Sequence, residues 1–140
     1  MLSETGAVAA ELALLMPVIA TLIFGTIYFG IALTNYQQLT FGVASGARAF
    51  AVARGSTTPY TSAVAAVTTG ASNLTANSIG LVFSVNGTTC ASDAACITAL
   101  ATGAGLSSTI AGTYPCSLVV PFATTVTNCT LKATTSQLIE

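Results

Sequence analysis

The chain has 140 residues, 53% of them hydrophobic and only 5% charged, with a net charge of −1 and no histidine. An ordinary soluble domain carries about 25% charged residues, so a chain this poor in charge tends to associate. The balance leaves no basic surface for nucleic acid and no histidine for metal or acid–base chemistry.

The first six residues, MLSETG, contain no Lys or Arg. From Gly6 to Leu33 runs GAVAAELALLMPVIATLIFGTIYFGIAL, whose one charge is Glu11. The uncharged part, Leu12 to Leu33, is long enough as a helix to cross a hydrocarbon core of about 30 Å. A cleavable secretory signal has a basic start and an apolar core of about 7–15 residues; this stretch has no basic start and a longer core. A bare anchor has no need of Glu11, and an ionisable residue within such a run marks function by default. Pro17 lacks an N–H and crowds the carbonyl four residues back, so a kink or a locally unwound turn is expected there.

Residues 7–54 read as one long helix, about 70 Å if continuous. Beyond Leu33 it becomes amphipathic: Tyr36, Leu39, Val43, Ala47 and Phe50 recur at three- and four-residue steps. Gly42 and Gly46 form a G-x-x-x-G step, a spacing that lets helices approach closely. Two uses of this face stay open: packing on the chain's own head, or on the helix of another copy. Gly55, Ser56 and Pro59 stop the helix.

Residues 60–140 read as a small head. Ala63, Val64, Val67, Ala71 and Leu74 give a helical period over residues 60–77, weakened by Gly70. Ile79 to Val85 alternates and is rich in β-formers, and Asn86-Gly87 signals a hairpin. Residues 88–114 read as loop with a short helix at 94–102. Ser117 to Phe122 and Val126 to Ser136 read as strands, with Pro121 suggesting an edge. Cys90, Cys96, Cys116 and Cys129 all lie in this region. Behind a membrane-type segment, an even set in a small loop-rich domain points to disulfides in an oxidising compartment. Of three possible pairings, Cys90–Cys96 with Cys116–Cys129 closes the shortest loops. Such staples supply stability that a small core lacks.

The spacing of Gly6, four residues, Glu11 and an apolar run resembles the prepilin-type signal of type IV pilins and pseudopilins. The wider pattern, GAVAAELALLMPV followed by FGTIYFG, NYQQLT and GARAFA, is most similar to TadE-type pilin-like proteins of the tight-adherence system, over residues 6 to about 54. The resemblance implies that residues 1–6 are a leader removed by a prepilin peptidase. The cut follows Gly6, Ala7 becomes the N-terminus, and Glu11 becomes the fifth residue. The family's leaders usually carry a basic residue, which this one lacks. A free amine on Ala7, pKa about 8, then neutralises Glu11 of its own or a neighbouring copy and sets the stagger between packed helices. The plainer alternative is that Glu11 snorkels to the headgroups without a partner.

The basic residues nearest the span, Arg48 and Arg54, follow it, which by the positive-inside rule would keep the head in the cytoplasm. The cysteines argue for export, and Arg48 sits about 15 residues past Leu33, at the edge of that rule's range.

The expected fold is therefore α+β: a long N-terminal membrane and assembly helix (7–54) and a disulfide-stapled head (60–140) of short helix plus antiparallel strands. The expected function is that of a structural pilin or pilin-like subunit, polymerising through its N-terminal helix into an extracellular Tad-like pilus for surface adhesion. Its expected partners are itself, other pilins, the prepilin peptidase, and the bacterial inner membrane before assembly. The alternative is a single-span anchored binding protein that does not polymerise. No cofactor or metal is expected, and no enzymatic activity: the head has one Asp and one Lys, and no acid–base pair or phosphate loop can be assembled.

Overall fold

The computed structural model describes residues 3–118 and 126–140, with side chains from Val8 to Cys116 and from Cys129 onward. Met1 and Leu2, the surroundings of Gly6 and the side chain of Ala7, and the strand residues expected beyond Leu118, Pro121 among them, lie outside it.

Helix α1 runs from Ser3 to Ala51, about 73 Å at 1.5 Å per residue. It stays helical through Pro17, so the expected unwound turn does not form. A proline removes one ladder bond, and the apolar turns on either side retain theirs. α1 ends three residues before the expected Arg54: the Ala53 N–H bonds Phe50 O at 3.2 Å, and Gly55 takes φ +83°. Pro59 then opens α2 (Pro59–Gly70) at a position that needs no N–H donor. α2 stops at Gly70, well short of Asn77. A turn and a single 3₁₀ turn (Ala76–Ser78) lead into the sheet.

The sheet comprises β1 (Gly80–Val85), β2 (Thr88–Cys90), β3 (Ser107–Leu118) and β4 (Val126–Leu138), in the order β2-β1-β3-β4, all neighbours antiparallel. Asn86 and Gly87 join β1 to β2 with φ +48° and +81°, both positive as a type I′ turn requires. α3 (Asp93–Ala101) follows β2, capped by the Ser92 hydroxyl accepting from the Ala95 N–H.

The expected loop over 107–114 is a correction: these residues are the first two-thirds of β3. Their inward positions are Ser108, Ile110 and Gly112, all buried. Gly112 is small because α1 presses on it. A β-carbon at Gly112 would fall 2.5 Å from Val43 Cγ2 and 3.3 Å from Leu39 Cδ1. The inward Ser108 hydroxyl is satisfied by donating to Gln137 O.

α1 and α2 cover one face of the sheet. Leu39, Val43, Ala47 and Phe50 of α1 join Ala63, Phe83, Ile110 and Leu100 in one core. Phe83 centres it, with ring centroids 5.3 Å from Phe50 and 4.8 Å from Tyr60. Cys90–Cys96 ties β2 to α3 (Cα–Cα 5.2 Å), and Cys116–Cys129 ties β3 to β4 (4.9 Å). The other face of the sheet is bare. It presents Ser84, Thr109, Thr113, Thr134 and Ser136 with the one cation Lys132, and the exposed apolar side chains of Val82 and Leu138.

Candidate functional site

The sequence divides α1 by composition at Leu33, and packing divides it six residues farther on, at Leu39. From Leu39 to Ala51 its apolar stripe is buried in the head. From Val8 to Gln38 nearly every side chain is exposed, including Leu14 at 76% and Phe29 at 69%. This free part is about 46 Å long and is long and apolar enough to cross a membrane. An apolar surface of that size is stable in lipid or against other apolar helices, not in water.

The polar groups of this segment are arranged for such surroundings. The hydroxyls of Thr21, Thr26 and Thr34 donate back to Val18 O, Leu22 O and Gly30 O at 2.8, 2.7 and 2.9 Å. Each is satisfied within its own helix, as hydrocarbon requires. Glu11 is the only formal charge between Ala7 and Ala47, and it projects from the exposed helix. Gly25 and Gly30 leave open space: a β-carbon on either meets nothing within 4 Å.

The G-x-x-x-G step is occupied inside the chain. α2 crosses α1 so closely that a β-carbon at Gly42 would lie 2.7 Å from Val67 O and 2.8 Å from Ala71 Cβ. At Gly46 it would overlap the Val67 side chain and lie 3.2 Å from Ala63 O. Gly70 of α2 is the matching small residue, facing Gly42. Of the two uses left open by the sequence, this face packs on the chain's own head. Tyr36 departs from its stripe: it is 43% exposed, because it lies one turn below the head and nothing there covers it. It forms a shallow apolar groove with Gln37, Thr40, Phe41 and Ala44.

One functional contact carried no local signal. Asp93, the first residue of α3, accepts the Thr61 backbone N–H at 3.0 Å and the Thr61 hydroxyl at 2.6 Å. Thr58, at the N-cap of α2, makes no side-chain cap, so Asp93 caps α2 from 32 residues away. The Thr61 hydroxyl, then its N–H, hold the Asp93 carboxyl below the usual aspartate range. A cleft of about 580 Å³ between α3 and the β1–β2 turn is lined by residues such as Asn86, Thr89 and Thr98, none of them ionisable.

Residues 6–48 match the family model of TadE-like proteins. That segment covers Gly6, Ala7, Glu11, Pro17 and the glycine step, and ends three residues before the end of α1, within the part buried in the head. No curated protein and no solved structure matches the chain.

Proposed function

We propose, from the TadE-like character of residues 6–48, that the chain is a non-enzymatic pilin-like subunit of a tight-adherence (Tad-like) pilus. It is inserted in the bacterial inner membrane by the free part of α1 and cut after Gly6 by a prepilin peptidase. It is then drawn into an extracellular filament that serves surface adhesion, packed against copies of itself and other pilins. The observation that carries this reading is Glu11: the one charge between Ala7 and Ala47, exposed on the apolar part of α1 and four residues beyond Ala7. With the leader removed, the Ala7 amine of an adjacent copy neutralises it and fixes one axial stagger. Removing one partner of such a pair in apolar surroundings costs about 3–5 kcal/mol.

A second reading, a single-span anchored binding protein that does not polymerise, draws on one observation. The glycine step, a ready surface for another helix, is filled by α2. Intact mass on sheared surface filaments separates the two. Polymerisation after processing requires a filament-borne mass for residues 7–140 with two disulfides. A full-length mass confined to membranes favours the anchor. Glu11→Ala is expected to stay in the membrane and be lost from filaments; normal filament yield from it refutes the charge-pair account.

A further inference from the structure

Among the described residues, β4 presents a long open edge of backbone. β4 has 13 residues and lies at the end of the sheet. The Ile139 N–H donates to Leu106 O at 3.0 Å, and Ser107 faces Leu138 in the ladder. Antiparallel pairing alternates, so the odd-numbered residues of β4 turn their N–H and C=O groups to β3. Thr130, Lys132, Thr134, Ser136 and Leu138 therefore turn theirs outward. Among the described residues, no backbone group bonds them there. Edges are commonly protected by shortness, proline, bulges or charge. From Thr130 to Leu138 this edge carries one lysine and none of the other devices.

The layer above the edge is also unfinished. α1 lies over β3 and β4, while α2 flanks it on the β1 side through Tyr60 and Phe83. The opposite flank of α1, on the β4 side, is the groove of about 350 Å³ lined by Tyr36, Gln37, Thr40, Phe41 and Ala44. Phe41 there is 69% exposed. A strand added to β4 has alternate side chains beneath this flank and the others continuing the hydroxyl-rich face.

We propose that this edge is a strand-addition site for an extended segment of a different subunit of the assembly. The segment pairs with Thr130–Leu138 and sets alternate apolar side chains against the Tyr36–Ala44 flank. On its other face it carries small polar residues and an acidic residue opposite Lys132, the one charge of β4. Two copies of this chain do not meet the need. Symmetric β4–β4 pairing turns one copy by a half-turn about the sheet normal, which reverses its α1, and two reversed spans do not enter one membrane together. That exclusion rests on the membrane reading of α1; the open edge does not. The other edge of the sheet, β2, has three residues and leaves most of β4 unpaired.

The test is amide exchange at Thr130, Thr134 and Ser136, compared between the full chain in detergent micelles and the same chain in intact envelopes, filamentous or not. Failure of the polymerisation reading thus leaves this measurement standing. Exchange is expected to slow on the order of 100-fold in envelopes. A photoreactive residue at Thr134 is expected to yield an adduct with the mass of a different chain. Thr134→Pro removes an outward N–H and no ladder bond, a place where proline is tolerated; it is expected to abolish the adduct formed from a photoreactive residue at Ser136 while melting as wild type. Equal exchange in micelles and envelopes overturns the proposal, and so does an adduct with a second copy. If Thr134→Pro does not fold, the wild-type exchange and adduct masses decide alone.

Discussion

Gly42→Ala tests whether α1 and α2 meet as closely as the structure has them. The new β-carbon lies 2.7 Å from Val67 O and 2.8 Å from Ala71 Cβ, whereas favourable carbon contacts begin near 3.5 Å. α2 must retreat by about 0.7 Å, a gap that forfeits a quarter or more of the dispersion well for the atoms it separates. Overpacking of this kind costs about 1–3 kcal/mol. Alanine's better helix propensity offsets about 1 kcal/mol of that, so the variant should lose about 1 kcal/mol net. For a domain of the head's size this lowers Tm by about 4–8 °C. The melt is followed by near-ultraviolet circular dichroism, which senses Tyr60 against Phe83, on the full chain in detergent micelles. Gly46→Ala meets the side chain of the same residue, Val67, whose carbonyl Gly42→Ala meets, so the double variant should lose less than the sum of the singles. A Gly42→Ala protein that melts at or above wild type refutes the packing and frees the glycine step for another copy's helix.

Gly30→Leu faces open space in the single chain, so the head should melt unchanged. If the free part of α1 packs against other helices, filament yield should collapse; full yield excludes close helix approach at Gly30. Asp93→Asn should lower stability at neutral pH by weakening the acceptor for Thr61. Because the Asp93 pKa is held down in the folded state, its contribution is present above the unfolded value of about 3.9 and lost as pH falls through the folded one. The melting gap between wild type and Asp93→Asn should therefore shrink from pH 7 to pH 3; a constant gap refutes the cap. Replacing both cysteines of a disulfide by alanine should cost about 2 kcal/mol for Cys90–Cys96 and about 3 kcal/mol for Cys116–Cys129, from their loops of 6 and 13 residues. Equal melts for wild type and the second variant refute the loop-entropy estimate.

The long helix was legible because its signal is crude: apolar residues without interruption, then a stripe at helical spacing. The β1–β2 hairpin was legible from Asn86-Gly87, whose positive φ values few other pairs adopt. β3 was not, and the reason is physical. Gly112 is sized to the helix that crosses it, and Ser108 is a buried hydroxyl bonded to Gln137 O, so both stand where a strand pattern needs bulk. The glycine step announced a close approach but could not name the helix approaching, since the spacing describes one surface of a two-sided contact. Tyr36 shared the period of the stripe without sharing its burial, because periodicity does not say where the head ends along α1. Asp93 escaped notice because a cap supplied from another helix leaves no local pattern.

The bare face of the sheet has a consequence for the conditions in which this surface works. Most protein surfaces are kept wet by ions, and their mutual repulsion changes with salt, since the screening length falls from about 30 Å at 0.01 M to about 3 Å at 1 M. Here Ser84, Thr109, Thr113, Thr134 and Ser136 present hydroxyls, with Lys132 the one charge among them and Val82 and Leu138 the exposed apolar residues. Thr109 and Ser136 bond each other across strands at 2.8 Å, while the threonine methyl groups pack along the pleat. Hydroxyl hydration is indifferent to ionic strength and to pH across the range where carboxylates and histidines titrate. A surface wetted this way has nearly the same character in fresh water, in brine and in acid.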